Sequence, residues 1–335
     1  MQEIRKSAKE KMKGYCRVCP VCNGKACAGE VPGMGGLGTG SAFVANMEAL
    51  DAMRFNMKLV HNVKEPVTET EFLGLSLSMP LMAAPIGGVS FNMGGGVSEE
   101  DYIDAIVSGC KAKGLIGCTG DGVPPVIHEA GYAAIKKAGG HGIGFIKPWE
   151  EKEFFEKLEK AEATGASVFG VDIDAAGLVT LAKMGRPVTP MTVDDLSKVI
   201  KSTSMKFILK GVMTVHDALC AKEAGADAIV VSNHGGRVLD STPGTAEVLP
   251  EIAEAVGGEM TILVDGGIRS GGDILKMLAL GAHGVMIGRP FSIAAVGGLQ
   301  QGVETYIETL HTQLVQAMVL TGTDNVNRVE SGILR

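Results

Sequence analysis

The sequence predicts an α/β protein whose main body is a (β/α)8 TIM barrel, and three observations carry that prediction. Eight short apolar runs recur from residue 81 onward, each bounded by glycine and rich in Val, Ile, Leu, Phe or Ala, as strands buried on both faces must be. Helical patterns separate them, so that one strand-helix unit follows another every 20 to 40 residues or so. Ionisable residues then collect at the C-terminal ends of successive runs, the end at which such barrels build their sites. Residues 81–335 have about the usual barrel length of ~250 residues, which leaves 1–80 as an N-terminal extension with a cysteine cluster and a linker. A doubly wound sheet is the alternative that the same alternation permits.

In chain order the runs are LMAAPIG, LIGCTG, GIGFIKPW, SVFGVDID, KFILKGV, AIVVSN, TILVDGG and GVMIGRP. Between them, SEEDYIDAIVSGCKAKG opens with a Ser-x-x-Asp capping pattern, while TVHDALCAKEAG and GGDILKMLALG end on glycine, which stops a helix. The longest connection from a strand to its helix, about 175 to 191, is long enough to form a lid over the site. GMGGLGTG at 33–40 contains a formal G-x-G-x-x-G, but no strand precedes it. It reads as a flexible linker and not as a dinucleotide site.

Composition narrows the function. The chain has 335 residues, 45% of them hydrophobic, and a formal charge of -7 without a polybasic block, so it lacks the footprint of a nucleic-acid binder. The charged opening MQEIRKSAKEKMKGY has no apolar core of a secretory signal, and no apolar run long enough for a membrane span follows, so a cytoplasmic protein is expected. An odd count of seven Cys fits a reducing compartment better than a disulfide framework.

The strand ends nominate the site. Asp172 closes the fourth run, Lys210 the fifth, Asn233 and His234 the sixth, Asp265 with Gly266 and Gly267 the seventh, and Gly288 with Arg289 the eighth. Glycines with Arg269 and Arg289 after the last two strands suit a phosphate, because the backbone approaches closely and the guanidinium forks add charge. Lys210 ends an apolar strand, where it either faces a ligand that develops negative charge or pairs with Asp172 or Asp265. His234 is a general-base candidate, Arg237 a planar fork for a carboxylate, and Asp172 a group that can orient the imidazole.

Cys16, Cys19, Cys22 and Cys27 are spaced x2, x2 and x4. The first two spacings equal those of bacterial ferredoxin ligands, while the last is one residue longer and the Pro follows Cys19. Three readings stay open: an iron–sulfur cluster, a tetrathiolate zinc site, or thiols without metal.

The stretch from LKGV through VVSNHGGRVLD to VDGGIRSGGD and GVMIGRPF resembles the FMN-dependent α-hydroxy-acid oxidases and dehydrogenases, the family of glycolate and lactate oxidase. The match is most specific over about 205–295 and extends weakly over roughly 45–320. The resemblance implies a TIM barrel with FMN across the strand ends, Lys210 at the flavin N1 and O2 edge, and Ser232 along the ring. Asp265, Gly266, Gly267, Arg269, Gly288 and Arg289 fall at the ribityl phosphate end, and Ala84, Pro85 and Thr119 complete the implied cofactor set. It makes His234 the base, Arg237 the carboxylate clamp and Asp172 the support of the histidine, for oxidation of a small 2-hydroxy acid by oxygen or another acceptor.

Three departures stand out. The tyrosine usual after the third strand is absent from GFIKPWEEK, which offers Lys147, Pro148 and Trp149. Near the N-terminus Tyr15 is a distant candidate for the second tyrosine, and the first strand turns on PIGG. The alternatives are an FMN-dependent non-redox isomerase of the isopentenyl diphosphate isomerase type and a metal- or redox-sensing protein on this scaffold. The His-Gly-Gly-Arg spacing disfavours the isomerase, since a diphosphate needs no carboxylate fork. A homo-oligomer is expected from the resemblance.

Overall fold

A computed structural model describes residues 1–186 and 188–335. An N-terminal helix, α1 (Gln2–Lys11), is followed by the cysteine segment with a short 3-10 turn at Lys25–Cys27, then by α2 (Ser41–Ala52) and a hairpin of β1 (Thr70–Phe72) and β2 (Leu75–Leu77). The barrel strands are β3 (Leu81–Ile86), β4 (Ile116–Thr119), β5 (Ile143–Ile146), β6 (Val168–Asp172), β7 (Lys206–Val212), β8 (Ala228–Val231), β9 (Thr261–Val264) and β10 (Gly284–Ile287). They pair in parallel in sequence order, and β10 closes on β3. The eight apolar runs are these eight strands.

Outside the strands lie α3 (Val89–Asn92), α4 (Glu99–Ala112), α5 (Val126–Lys137), α6 (Glu151–Glu162), α7 (Val179–Lys183), α8 (Val193–Lys201), α9 (Val215–Ala224), α10 (Thr245–Val256), α11 (Gly271–Ala279) and α12 (Arg289–Thr321). Their ends follow the sequence signals: the Ser98 hydroxyl accepts the Asp101 amide at 3.0 Å, Ser270 and Asp273 form a reciprocal cap, and α9 stops at Gly225 in the left-handed region. No helix among the described residues is long and apolar enough to cross a membrane. α12 itself breaks at Leu299, where φ is 48°.

Strand parity decides what faces the barrel interior. Phe145 lies opposite Gly170, and a Cβ on Gly170 would stand 2.3 Å from its ring, so the missing side chain makes room for a filled interior. One layer up, Asp172 is the register partner of Lys210, which places both on the inner face at the C-terminal mouth. Cys118 pairs with Ile143 and so points inward, which turns its neighbour Thr119 outward.

The N-terminal segment packs onto this body. α1 lies along α12, with the Lys11 ammonium donating to the Val296 carbonyl at 3.1 Å, and α2 lies against α10. The glycine-rich 33–40 stretch, expected to be a flexible linker, is instead a strap bonded across the barrel mouth. Its Leu37 amide donates to the Gly236 carbonyl at 2.8 Å, and the Thr39 amide and hydroxyl donate to Asp240. A Cβ on Gly35 would meet the Cys27 carbonyl at 2.0 Å, so the glycine serves close backbone approach and not freedom.

Candidate active site

One large cleft opens at the C-terminal mouth, with ≈ 1450 Å³ of empty space counted out to solvent. Its floor on the β3 side is Ala84, Pro85 and Ile86, where the chain shifts register against β4; proline, having no N–H to offer the ladder, sits at such irregularities. Gly266, Gly267, Arg269, Gly288 and Arg289 form the opposite end, and Lys147, Asp172, Lys210, His234, Arg237 and Asp265 stand between. Gly267 has φ 78°, and a Cβ there would be 2.3 Å from the Asn46 carbonyl. The strand 9 turn is therefore pressed against α2 by a residue that can have no side chain.

Lys210 is 3% exposed, with its ammonium 3.0 Å from Asp172 Oδ1 and 3.7 Å from Asp265 Oδ2. Burial alone would discourage its charge, but Asp172, Asp265 and Asp174 outweigh that and hold its pKa above the ordinary lysine value. Burial likewise opposes ionisation of Asp172, yet Lys210, His234 and Lys147 together keep its pKa below the usual aspartate value. Asp265 goes the other way. Its burial dominates the help from Lys210 and raises its pKa.

His234, with φ 55°, hydrogen-bonds through Nδ1 to Asp174 Oδ1 at 3.0 Å. The carboxylate bonded to the imidazole is thus Asp174 and not Asp172, which is committed to Lys210 and stands 3.9 Å from the Lys147 ammonium. The reason is local: β6 ends at Asp172, the chain turns into a 3-10 segment, and Asp174 swings back over Gly211. Gly211 has φ 105° at a bulge in β7, and a Cβ on it would lie 2.6 Å from Asp174. Sequence reading missed Asp174, although the second aspartate of VDID was the available signal.

Arg237 donates to the Gly33 and Gly35 carbonyls at 2.7 and 3.0 Å and to Asn92 Oδ1 at 3.0 Å. Arg289 donates to the carbonyls of Met34, Gly35 and Gly235, and its guanidinium lies 3.8 Å over the Phe43 ring. No carboxylate among the described residues pairs with Arg237, Arg269 or Arg289. Removal from water, with repulsion from Arg237 and Arg269, brings the Arg289 pKa down to about 9, and burial brings Arg237 down to about 10. Such unpaired cations favour an anion.

Two expected residues sit elsewhere. Thr119 faces outward against α5, where a Cβ on Gly131 would be 2.7 Å from its hydroxyl, so it does not line the cleft. Its outward parity is the cause. Ser232 is fully buried under the mouth, its hydroxyl accepting the His234 amide at 3.1 Å, and it also lies behind the cleft wall.

From the expected lid, Leu178, Thr180, Leu181 and Met184 contribute a wall, with α7 as its helical part; Pro187 lies outside the described residues. Lys147 and Trp149, in place of the expected tyrosine, are held from below by Asp121. Its carboxylate accepts the Lys147 amide at 3.0 Å, the Trp149 indole at 2.5 Å and the Lys157 ammonium at 2.7 Å.

The four cysteines are free, half-buried thiols around a second, smaller cavity of ≈ 430 Å³ counted out to solvent. Met34 and Arg289 line this cavity and the large cleft alike. No three of the four sulfurs lie within 4.8 Å of one another.

The large cleft fits FMN. It offers an apolar floor for a ring and a glycine- and arginine-lined end for a phosphate. Asp265 Oδ1 is buried at the cleft without a hydrogen-bond partner, which calls for a polar occupant.

Known proteins agree. The family model for FMN-dependent dehydrogenase matches residues 33–187 and 177–335. L-lactate oxidase of Lactobacillus jensenii is 31% identical over 87% of this chain and 77% of its own length. 4-Hydroxymandelate oxidase of Amycolatopsis orientalis is 31% identical over 87% and 89%. A crystal structure of mandelate oxidase superposes with a TM-score of 0.82 at 27% identity, covering 100% of this chain and 97% of that one. A closed parallel barrel with a glycine- and arginine-lined cleft at its C-terminal mouth, joined to these matches, makes this chain a member of the FMN-dependent dehydrogenase family.

Proposed function

We propose that the protein oxidises a small 2-hydroxy acid to the 2-oxo acid, with oxygen or another acceptor removing the electrons. The observation that carries this reading is the meeting of an imidazole buttressed by Asp174, the Arg237 fork and the Lys210 ammonium in one cleft. Bound FMN would supply the two-electron acceptor, held by Ala84 and Pro85 under the ring, Lys210 and Asp265 beside it, and Gly266, Gly267, Arg269, Gly288 and Arg289 around the phosphate.

Arg237 spends both Nη1 hydrogens and one on Nη2 in its bonds to the strap and Asn92, so Nε and one Nη2 hydrogen remain to grip a carboxylate. Asp174 fixes a proton on His234 Nδ1, leaving Nε2 to accept one from the substrate. Loss of two electrons and two protons turns the carbinol into the ketone: His234 takes one proton, and the electron pair with the other proton would pass to bound FMN. The buried Lys210 charge stabilises the negative charge that accumulates beside it. The relatives named for lactate, hydroxymandelate and 2-hydroxy acids support this substrate class. We also read Cys16, Cys19, Cys22 and Cys27 as ligands of a metal centre.

Anaerobic mixing of the flavin-loaded protein with a panel of 2-hydroxy acids tests the reading. Bleaching of the flavin bands by one of them, with the matching 2-oxo acid as product, is expected. A flavin that stays oxidised with all of them overturns it.

A further inference from the structure

The N-terminal strap does more than cover the mouth. It wraps four thiols around a cavity, and three cations from three separate elements hold it in that shape. Arg5 of α1 donates to the Cys19 carbonyl at 2.5 Å, Arg269 after β9 donates to the Cys22 carbonyl at 3.2 Å, and Arg289 at the start of α12 holds Met34 and Gly35. The sulfurs also receive donors. The Val18 amide lies 3.4 Å from Cys16 Sγ, and the Arg269 Nη2 group 3.6 Å from Cys22 Sγ. Val18 reaches this position with φ 46°, a strained conformation for a β-branched residue.

From this arrangement we infer that Cys16, Cys19, Cys22 and Cys27 ligate a [4Fe–4S] cluster beside the flavin cleft. Size separates this from zinc. Zn–S bonds of about 2.3 Å draw four sulfurs into contact around one ion, whereas here no three sulfurs come within 4.8 Å of each other and a cavity lies between them. A cubane of iron and sulfide holds its four thiolates farther apart than a single ion does, as the separation of these sulfurs requires. The x2, x2 spacing is that by which three cysteines of a bacterial ferredoxin run hold one cubane, and Cys27, after x4, lines the same cavity and would supply the fourth thiolate.

Charge agrees with it. A [4Fe–4S]2+ core with four thiolates carries two net negative charges; Arg289 lines the cavity and Arg269 reaches Cys22 Sγ, neither with a carboxylate partner. N–H donors to the sulfurs stabilise that charge further. Because Met34 and Arg289 line both cavities, the cluster would lie one layer of side chains from the cofactor cleft.

The inference deepens the metal-centre reading and is independent of the hydroxy-acid one. Metal analysis answers it whether or not any acid reduces the flavin. The full-length protein is purified without oxygen and, if metal-poor, reconstituted with ferrous iron and sulfide. About four iron and four acid-labile sulfide per chain are expected. Dithionite should then be consumed at about three electron equivalents, two for FMN and one for the cluster, with a paramagnetic signal from the reduced cluster.

Cys19→Ser and Cys22→Ser should each lose iron and sulfide while Cys220→Ser, outside the strap, keeps both. Zinc without sulfide, a disulfide among the four thiols, or no iron uptake after reconstitution would overturn the assignment. So would variants at Cys19 and Cys22 that retain the full iron. Should those variants fail to fold, the iron, sulfide and electron counts of the unmodified chain still decide.

Discussion

His234 and its carboxylate show how much one residue's setting matters. Asp172 and Asp174 are two positions apart, yet one neutralises a buried lysine and the other bonds to the imidazole. Asp174→Asn should therefore lower kcat by about 10²-fold or more with flavin still bound, because the amide can hold His234 in the wrong tautomer. Steady-state kinetics with a reducing acid checks this, and an Asp174→Asn enzyme of normal kcat would return the role to Asp172. Arg237→Lys should instead raise KM roughly 10-fold or more with little change in flavin content, since a point charge replaces a planar fork already anchored by three bonds.

At the scale of elements, the turn after β9 and the cap of α11 make separable contributions. Gly267→Ala forces a Cβ into the Asn46 carbonyl at a positive φ, so it should lower Tm and empty the cofactor site together. Ser270→Ala removes the hydroxyl that accepts the Asp273 amide at 3.2 Å and should cost about 1 kcal/mol in denaturant unfolding without changing flavin reduction. If the two variants lost flavin equally, the close approach of Gly267 to α2 would not be what shapes the site. These elements were legible in the sequence because apolar runs, caps and terminal glycines are local signals. Parity within a four-residue strand is harder to read: Thr119 and Cys118 are adjacent and both apolar-bounded, and register with β5 decides which faces inward.

Across the whole molecule, charge buried at the barrel mouth links stability to pH. Asp172 has a folded pKa below its unfolded value of about 3.9, so its contribution is complete above that pH and is lost as pH falls through the folded value. Thermal melts from neutral to acid pH should fall more steeply for the native chain than for Asp172→Asn; parallel acid limbs would show that Lys210 does not depend on that carboxylate. At the other end of the mouth, Arg289 ties strap, barrel and Phe43 together. Arg289→Leu should speed proteolysis within 22–40 and weaken flavin retention in the same variant.

Taken by itself, the sequence determined the (β/α)8 barrel, the strand ends that carry Lys210, His234, Arg237, Asp265 and Arg289, and the four-cysteine spacing, because each is written in patterns a few residues long. The tertiary structure decided which carboxylate bonds His234, that Thr119 faces α5, that Ser232 lies behind the wall, and that 33–40 is a strap and not a linker. Those outcomes depend on register between strands and on contacts about 200 residues apart, such as Thr39 with Asp240 and Gly33 with Arg237. No local pattern encodes such a pairing, since its free energy exists only once the barrel has closed and brought both partners to the same mouth.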